Sequence, residues 1–370
     1  MRIFIFFAVL MSTVVQATEL METNISLRSL GMGGVYGPVV QDAEALYFNT
    51  AMLGRLEGIR MELFNLGAGV NGLEAVNQLS TINDSNSSAG LLDYVGNRYW
   101  VGANGRATFV LPYFGMGAYN NLALAFKVQN PVLPEFEATY VNDTVVMMGG
   151  AFELSKKSYL GVNLKQVRRV GGTKVLDSAS LLNSNTLSNL ASQFSNSGIG
   201  YGFGLSYIQE FDAGLKPLLS ITWDDVGYTS FRQTGGSSAP GTQRDSIHVG
   251  LSTTLDLPGL DWTNGIEYRH ATNYDHELGK KLHLGTEISL PLIDLRAGLY
   301  QGYMSYGVGL DLFFMTMDAV YYDVEMGAYP GQDPQNRIMV GVNMKMGFDT
   351  NFNVLFGEMS GKKKRLKQRR

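Results

Sequence analysis

Residues 335–348 read QNRIMVGVNMKMGF. Ile338, Val340, Val342, Met344, Met346 and Phe348 alternate with Met339, Gly341, Asn343, Lys345 and Gly347. A period of two marks a strand, here near 336–348, with one apolar face and one small or polar face. About 9–11 tilted residues of this kind cross a bilayer as a barrel strand. Such a strand needs a closed sheet, because lipid offers no partner to an open edge.

The same alternation recurs upstream. Leu282, Leu284, Ile288 and Leu290 oppose Lys281, His283, Glu287 and Ser289, and Met304, Tyr306, Val308, Leu310 and Leu312 oppose Ser305, Gly307, Gly309 and Asp311. The pattern predicts fourteen strands near 58–68, 105–118, 121–129, 143–154, 158–169, 199–211, 215–225, 244–256, 260–270, 280–290, 293–300, 303–313, 314–324 and 336–348. An even count suits an all-β, antiparallel transmembrane barrel. The connections alternate short and long. Short ones fall at Asn120-Asn121, 155–158, 212–214, 257–259, Pro291-Leu292 and near Phe314; long ones include 69–104, 130–142, 170–198 and 226–243. Short periplasmic turns and long outer loops are the habit of such barrels, which predicts both chain ends in the periplasm. Leucine spacing predicts short helices near 73–82 and 187–194, inside two long connections.

Composition agrees. Gly is 44 of 370 residues, above the usual share of about 7%. Tyr and Phe number 19 each and charged residues make up only 17%. With no cysteine there is no disulfide, thiolate metal site or Cys nucleophile. Residues 1–17, MRIFIFFAVLMSTVVQA, have the form of a secretory signal ending in a small-residue site. The net charge of −4 includes seven basic residues in the last nine positions, so the rest of the chain sums to −11. That body has no footprint for nucleic acid.

Residues 18–56 lack strand alternation. They carry Gly31, Gly33, Gly34 and Gly37, then Asp42-Ala43-Glu44-Ala45-Leu46, which read as a short helix capped by Asp42 with Glu44 in its first turn and Asn49 at its end. The segment from Ser29 to Tyr36, SLGMGGVY, followed by Asp42 to Ala51, DAEALYFNTA, resembles the N-terminal plug of the long-chain fatty-acid transporter superfamily of outer-membrane barrels. That group includes hydrocarbon channels and the barrel component of the type IX secretion system. Thr50 stands where the family commonly has Pro. The resemblance implies fourteen strands and an N-terminal hatch containing Gly31, Gly33, Gly34, Asp42, Glu44, Asn49 and Ala51. It implies a domain order of signal 1–17, hatch 18–56, barrel 57–348 and basic tail 349–370.

The expected function is passive passage of small hydrophobic or amphipathic molecules such as fatty acids, without enzyme activity, cofactor or metal. Arg60 and Arg106, on the first two wall strands, are the candidates for holding a ligand carboxylate; the alternative for the lumen charges is salt bridges that brace wall and plug. The tail residues Lys362, Lys363, Lys364, Arg365, Lys367, Arg369 and Arg370 are candidates for contact with anionic lipid or an acidic envelope protein. Tyr99, Trp100, Tyr113, Trp223, Tyr228, Trp262, Tyr268, Tyr321 and Tyr322 read as interfacial girdles. The runner-up function is a non-transporting scaffold that binds periplasmic or secretion-system proteins.

Overall fold

The computed structural model describes residues 22, 24–71, 96, 98–129, 135–177, 194–348 and 354–355. The expected signal, the expected loop helices save Phe194, and the tail save residues 354 and 355 lie outside them. Fourteen strands among the described residues form a closed antiparallel ring. They are β1 Ile59–Val70, β2 Arg98–Leu111, β3 Phe114–Gln129, β4 Glu135–Ser155, β5 Ser158–Asp177, β6 Ser197–Glu210, β7 Leu218–Asp224, β8 Ser246–Leu257, β9 Leu260–Tyr268, β10 Leu282–Ser289, β11 Ile293–Tyr300, β12 Tyr303–Leu312, β13 Met315–Glu325 and β14 Pro334–Phe348. Each pairs with its neighbour in sequence, and β14 closes on β1 from Ile59↔Phe348 to Val70↔Ile338. A short strand, Phe231–Gly235, continues the β7 side of β6 beyond a break at 225–230.

The faces sort inside out, as a lipid-facing barrel requires. On β12, Tyr306 and Leu310 are 52% and 42% exposed, whereas Ser305 and Asp311 are 0% and 6% exposed. On β14, Gln335, Arg337, Met339 and Asn343 point inward and are buried, and Val340 faces out. The tight turns sit at one end, among them Pro112-Tyr113, where Tyr113 takes φ 68°, and Lys157 at φ 66°.

Two expectations need correction here. Asn120 and Asn121 are not a turn: both lie within β3, opposite Thr144 and Asp143. The reversal is at Pro112, which has no N–H to give a ladder. In consequence β2 begins at Arg98 and the connection before it is shorter than expected. Trp100 and Tyr322 are not girdle residues; each is 3% exposed and both belong to one internal apolar cluster, and Tyr99 is buried too. Trp223, Trp262, Tyr113, Tyr228 and Tyr321 do stand exposed on the outside.

Residues 24–56 pack inside the ring. Helix α1, Leu27–Gly31, is capped by Ser26, whose hydroxyl accepts from Ser29 N–H at 3.4 Å. A 3-10 turn at Asp42–Glu44 leads into α2, Ala45–Phe48, and a second 3-10 segment follows at Thr50–Arg55. Leu46, Ala51 and Leu53 are fully buried and join inward-facing Val110, Val145, Met147 and Ile208 in one apolar cluster at the tight-turn half of the lumen. The wall accommodates this backbone with small residues. A Cβ on Gly31 would stand 3.0 Å from Gly307 Cα. One on Gly161 would run into the backbone of Thr50 and Ala51.

Candidate functional site

The inner segment is tied to the wall by buried ion pairs. Arg106 on β2 bonds Glu62 of β1 through Nε at 2.9 Å and reaches Glu44 of the inner segment through Nη2. Glu44 also accepts from Ser26 Oγ at 3.1 Å. Across the lumen, Arg28 donates to Glu287 on β10 at 2.7 and 2.9 Å. Glu287 is shared with Arg296 of β11 at 2.7 Å, and Arg296 also meets Asp294 at 3.3 Å and Asp318 at 2.5 Å. Breaking such a buried pair from one side costs about 3–5 kcal/mol, because the remaining charge is stranded.

Small wall hydroxyls hold the backbone. Gly33 N–H donates to Ser305 Oγ at 3.0 Å, and Gly33 carbonyl accepts from His283 Nδ1–H at 2.7 Å. Ala51 N–H donates to Ser206 Oγ at 2.8 Å, and Asn49 Nδ2 donates to Ser220 Oγ at 2.9 Å. Glu267 of β9 accepts from the N–H groups of Tyr36 at 2.5 Å and Gly37 at 3.2 Å.

The candidate residues therefore fall as follows. Gly33 and Gly34 take φ of 68° and 78°, where glycine has no Cβ penalty. Glu44 lies in the first turn, as expected, and is also a wall tie, because Arg106 faces it. Asp42 does not cap the helix. It lies inside the 3-10 turn at φ 56°, 3.7 Å from Arg60, and Gln41 occupies the cap position without a side-chain bond. Asn49 sits at the C-cap of α2. Arg60 donates to the carbonyls of Ile59 and Phe348 at the tight-turn end. Arg106 is enclosed between two carboxylates. Neither arginine borders the cavities described next.

Two cavities open on the long-loop side of the inner segment. One, about 190 Å³, is lined by Ile25, Leu30, Trp100, Tyr300, Tyr322 and Arg337 among others. Its guanidinium lies 4.2 Å above the Trp100 ring. The second, about 180 Å³, is polar and is bordered by Asn24, Asp224, Asp245, His248, Arg269 and His270 among others. Glu22 and Gln243 belong to both walls. Glu22 meets Arg269 at 2.8 Å and His270 at 3.3 Å. Those residues follow β9 at the end opposite the tight turns, so Glu22 lies near the long-loop end; the expected start of the mature chain lies outside the described residues. His270 also pairs with Ser246 Oγ at 2.8 Å, and no group of three metal-type ligands occurs among the described residues.

The Arg106 contact carries a pH dependence. Burial penalises the Glu44 carboxylate, but Arg106, Lys345, Arg28 and the Ser26 hydroxyl together outweigh this and hold it below its ordinary value of 4.5. A depressed carboxyl contributes stability that is fully present above its unfolded pKa and is lost as pH falls through the folded value. Protease protection of residues 24–56 should therefore hold at neutral pH and weaken below about pH 4.5. Glu44→Gln should flatten that profile; an unchanged acid transition in this variant would refute the assignment.

Closed ring, inward charges, outward apolar faces and a filled lumen define the class: a fourteen-stranded barrel of outer-membrane type with an internal N-terminal segment. This fold is shared with solved monoaromatic hydrocarbon channels and agrees with the resemblance of residues 29–51. The CymD monoaromatic hydrocarbon channel superposes with a TM-score of 0.52 at 11% identity, over 88% of this chain and 98% of that one. A deltaS2S3 mutant of the TodX monoaromatic hydrocarbon channel gives 0.52 at 11% identity, over 87% and 98%. No family model and no curated protein matches the sequence.

Proposed function

We propose that this chain is an outer-membrane channel for small hydrophobic or amphipathic molecules, with residues 18–56 as its hatch. The observation that carries the reading is the aromatic cavity bounded by Trp100, Tyr300 and Tyr322 inside a barrel whose outer face is apolar. Small-molecule sites are mostly apolar with a few placed polar groups and usually span about 300–1,000 Å³; this cavity is smaller, and Asp143, Arg169, Gln243 and Arg337 stand in its wall beside the rings. The solved channels that share the fold are described as channels for monoaromatic hydrocarbons, and a short-chain or monoaromatic body suits a cavity of about 190 Å³. The tight turns then face the periplasm.

Arg106 and Arg60 act in this reading as ties of the hatch rather than as ligand groups, since their partners are Glu44, Glu62 and Asp42. The lower lumen is filled by Leu46, Ala51 and Leu53, so onward passage needs the hatch to shift. Trp100→Ala removes the largest ring of the cavity. It is expected to weaken binding of a compound such as ethylbenzene about tenfold, on the order of 1.4 kcal/mol. The check is equilibrium binding to the detergent-solubilised protein. Equal affinity of variant and wild type would contradict the site.

A further inference from the structure

In the polar cavity beside the aromatic one, a ring nitrogen and a half-exposed carboxylate, His248 Nε2 and Asp224 Oδ2, face each other 3.6 Å apart. His248 on β8 is 4% exposed and borders this cavity. Arg269 Nε donates to His248 Nδ1 at 3.2 Å. A nitrogen that accepts carries a lone pair, so the hydrogen of the neutral ring is on Nε2. Asp224 Oδ2 stands 3.6 Å from Nε2, beyond hydrogen-bonding range. Asn24 Nδ2, in the same wall, also has no acceptor among the described residues.

We propose that this cavity is a head-group subsite for a hydroxyl-bearing hydrophobic molecule, an alcohol or phenol, whose apolar body occupies the adjoining aromatic cavity. The proposal rests on the channel reading above. A hydroxyl oxygen placed beside the gap accepts from His248 Nε2–H and donates to Asp224, engaging both with one atom. A carboxylate has no proton to give Asp224 and adds a second negative charge beside it. An ammonium cannot accept from Nε2–H. The cations that would draw a carboxylate are already engaged: Arg269 with Glu22 at 2.8 Å, Arg244 with Asp275, and nearby Lys165 with Asp225 at 2.9 Å. Because Glu22 and Gln243 stand in both walls, a short amphiphile spans the two compartments around them.

The test measures affinities of the full chain in detergent at neutral pH for 2-phenylethanol, ethylbenzene and phenylacetate. The expected result is that 2-phenylethanol binds at least about tenfold more tightly than phenylacetate. Asp224→Ala should lower the ratio of 2-phenylethanol to ethylbenzene affinity about tenfold, as expected for loss of a hydrogen bond to a charged group. Heat-dependent gel mobility verifies that the variant barrel is folded, and the wild-type comparison stands without it. Phenylacetate binding as tightly as the alcohol, or an unchanged ratio in Asp224→Ala, overturns the subsite. If ethylbenzene binds without these preferences, the subsite alone fails. If none of the three compounds binds, the channel reading fails and takes the subsite with it.

Discussion

Arg106→Met is expected to unseat residues 24–56 from the barrel wall. The guanidinium is enclosed by Glu44 from the inner segment and Glu62 from β1, all three side chains being less than a tenth exposed. Removing it strands two carboxylates in a site with little water. One-sided removal of a buried partner typically costs about 3–5 kcal/mol. The wall has its ladder hydrogen bonds to hold it, whereas the inner segment depends on its side-chain ties, so the loss falls on the segment. Limited proteolysis should show cleavage within 24–56 while the barrel keeps its heat-dependent gel mobility. Adding Glu44→Gln and Glu62→Gln should restore much of the protection, because replacing the whole buried set by neutral groups removes the stranded charge. Full protection in the single variant would show that Arg106 does not hold the segment.

Gly33→Val should have a comparable effect by a different route. Gly33 adopts φ 68°, and a Cβ there would collide with the backbone of Leu284 and Leu299. The strained backbone costs of order 1–3 kcal/mol and overpacking about 1–3 kcal/mol more. The clash lies against strands β10 and β11, which cannot retreat without breaking their ladder. Gly259 is the control: its φ is 91°, but a Cβ would meet nothing within 4 Å. Gly259→Ala should therefore show the conformational cost alone and leave the inner segment protected. If Gly33→Val retains wild-type protection, the close fit between segment and wall is wrong.

The wall was legible where alternation is long and unbroken. In β12 and β14 every second residue is apolar, and the structure turns those residues outward. The turn expected at Asn120-Asn121 is absent; Asn is a strong turn former, and Gly115 and Gly117 blur the period just before it. A turn there leaves Trp100 in a loop, with no face assigned, so an internal aromatic reads as a girdle residue. The ion pairs were harder still. Arg28 and Glu287 are 259 positions apart, and nothing local to Arg28 shows which strand it will meet. The small residues that admit the inner segment, such as Gly161, Gly307 and Ser206, have ordinary strand contexts, and only the packed geometry shows what they admit.

The most direct test of the channel account is a locked hatch. The chain has no cysteine of its own, and Ala51 N–H lies 2.8 Å from Ser206 Oγ on β6, so Ala51→Cys with Ser206→Cys puts one thiol on each side of this contact, to be joined by oxidation. Ethylbenzene uptake would be followed in proteoliposomes holding the double variant, oxidised and then reduced. The account predicts that oxidation stops uptake above the protein-free background and that reduction restores it. Equal uptake in both states, or none above background in either, would contradict passage governed by the inner segment.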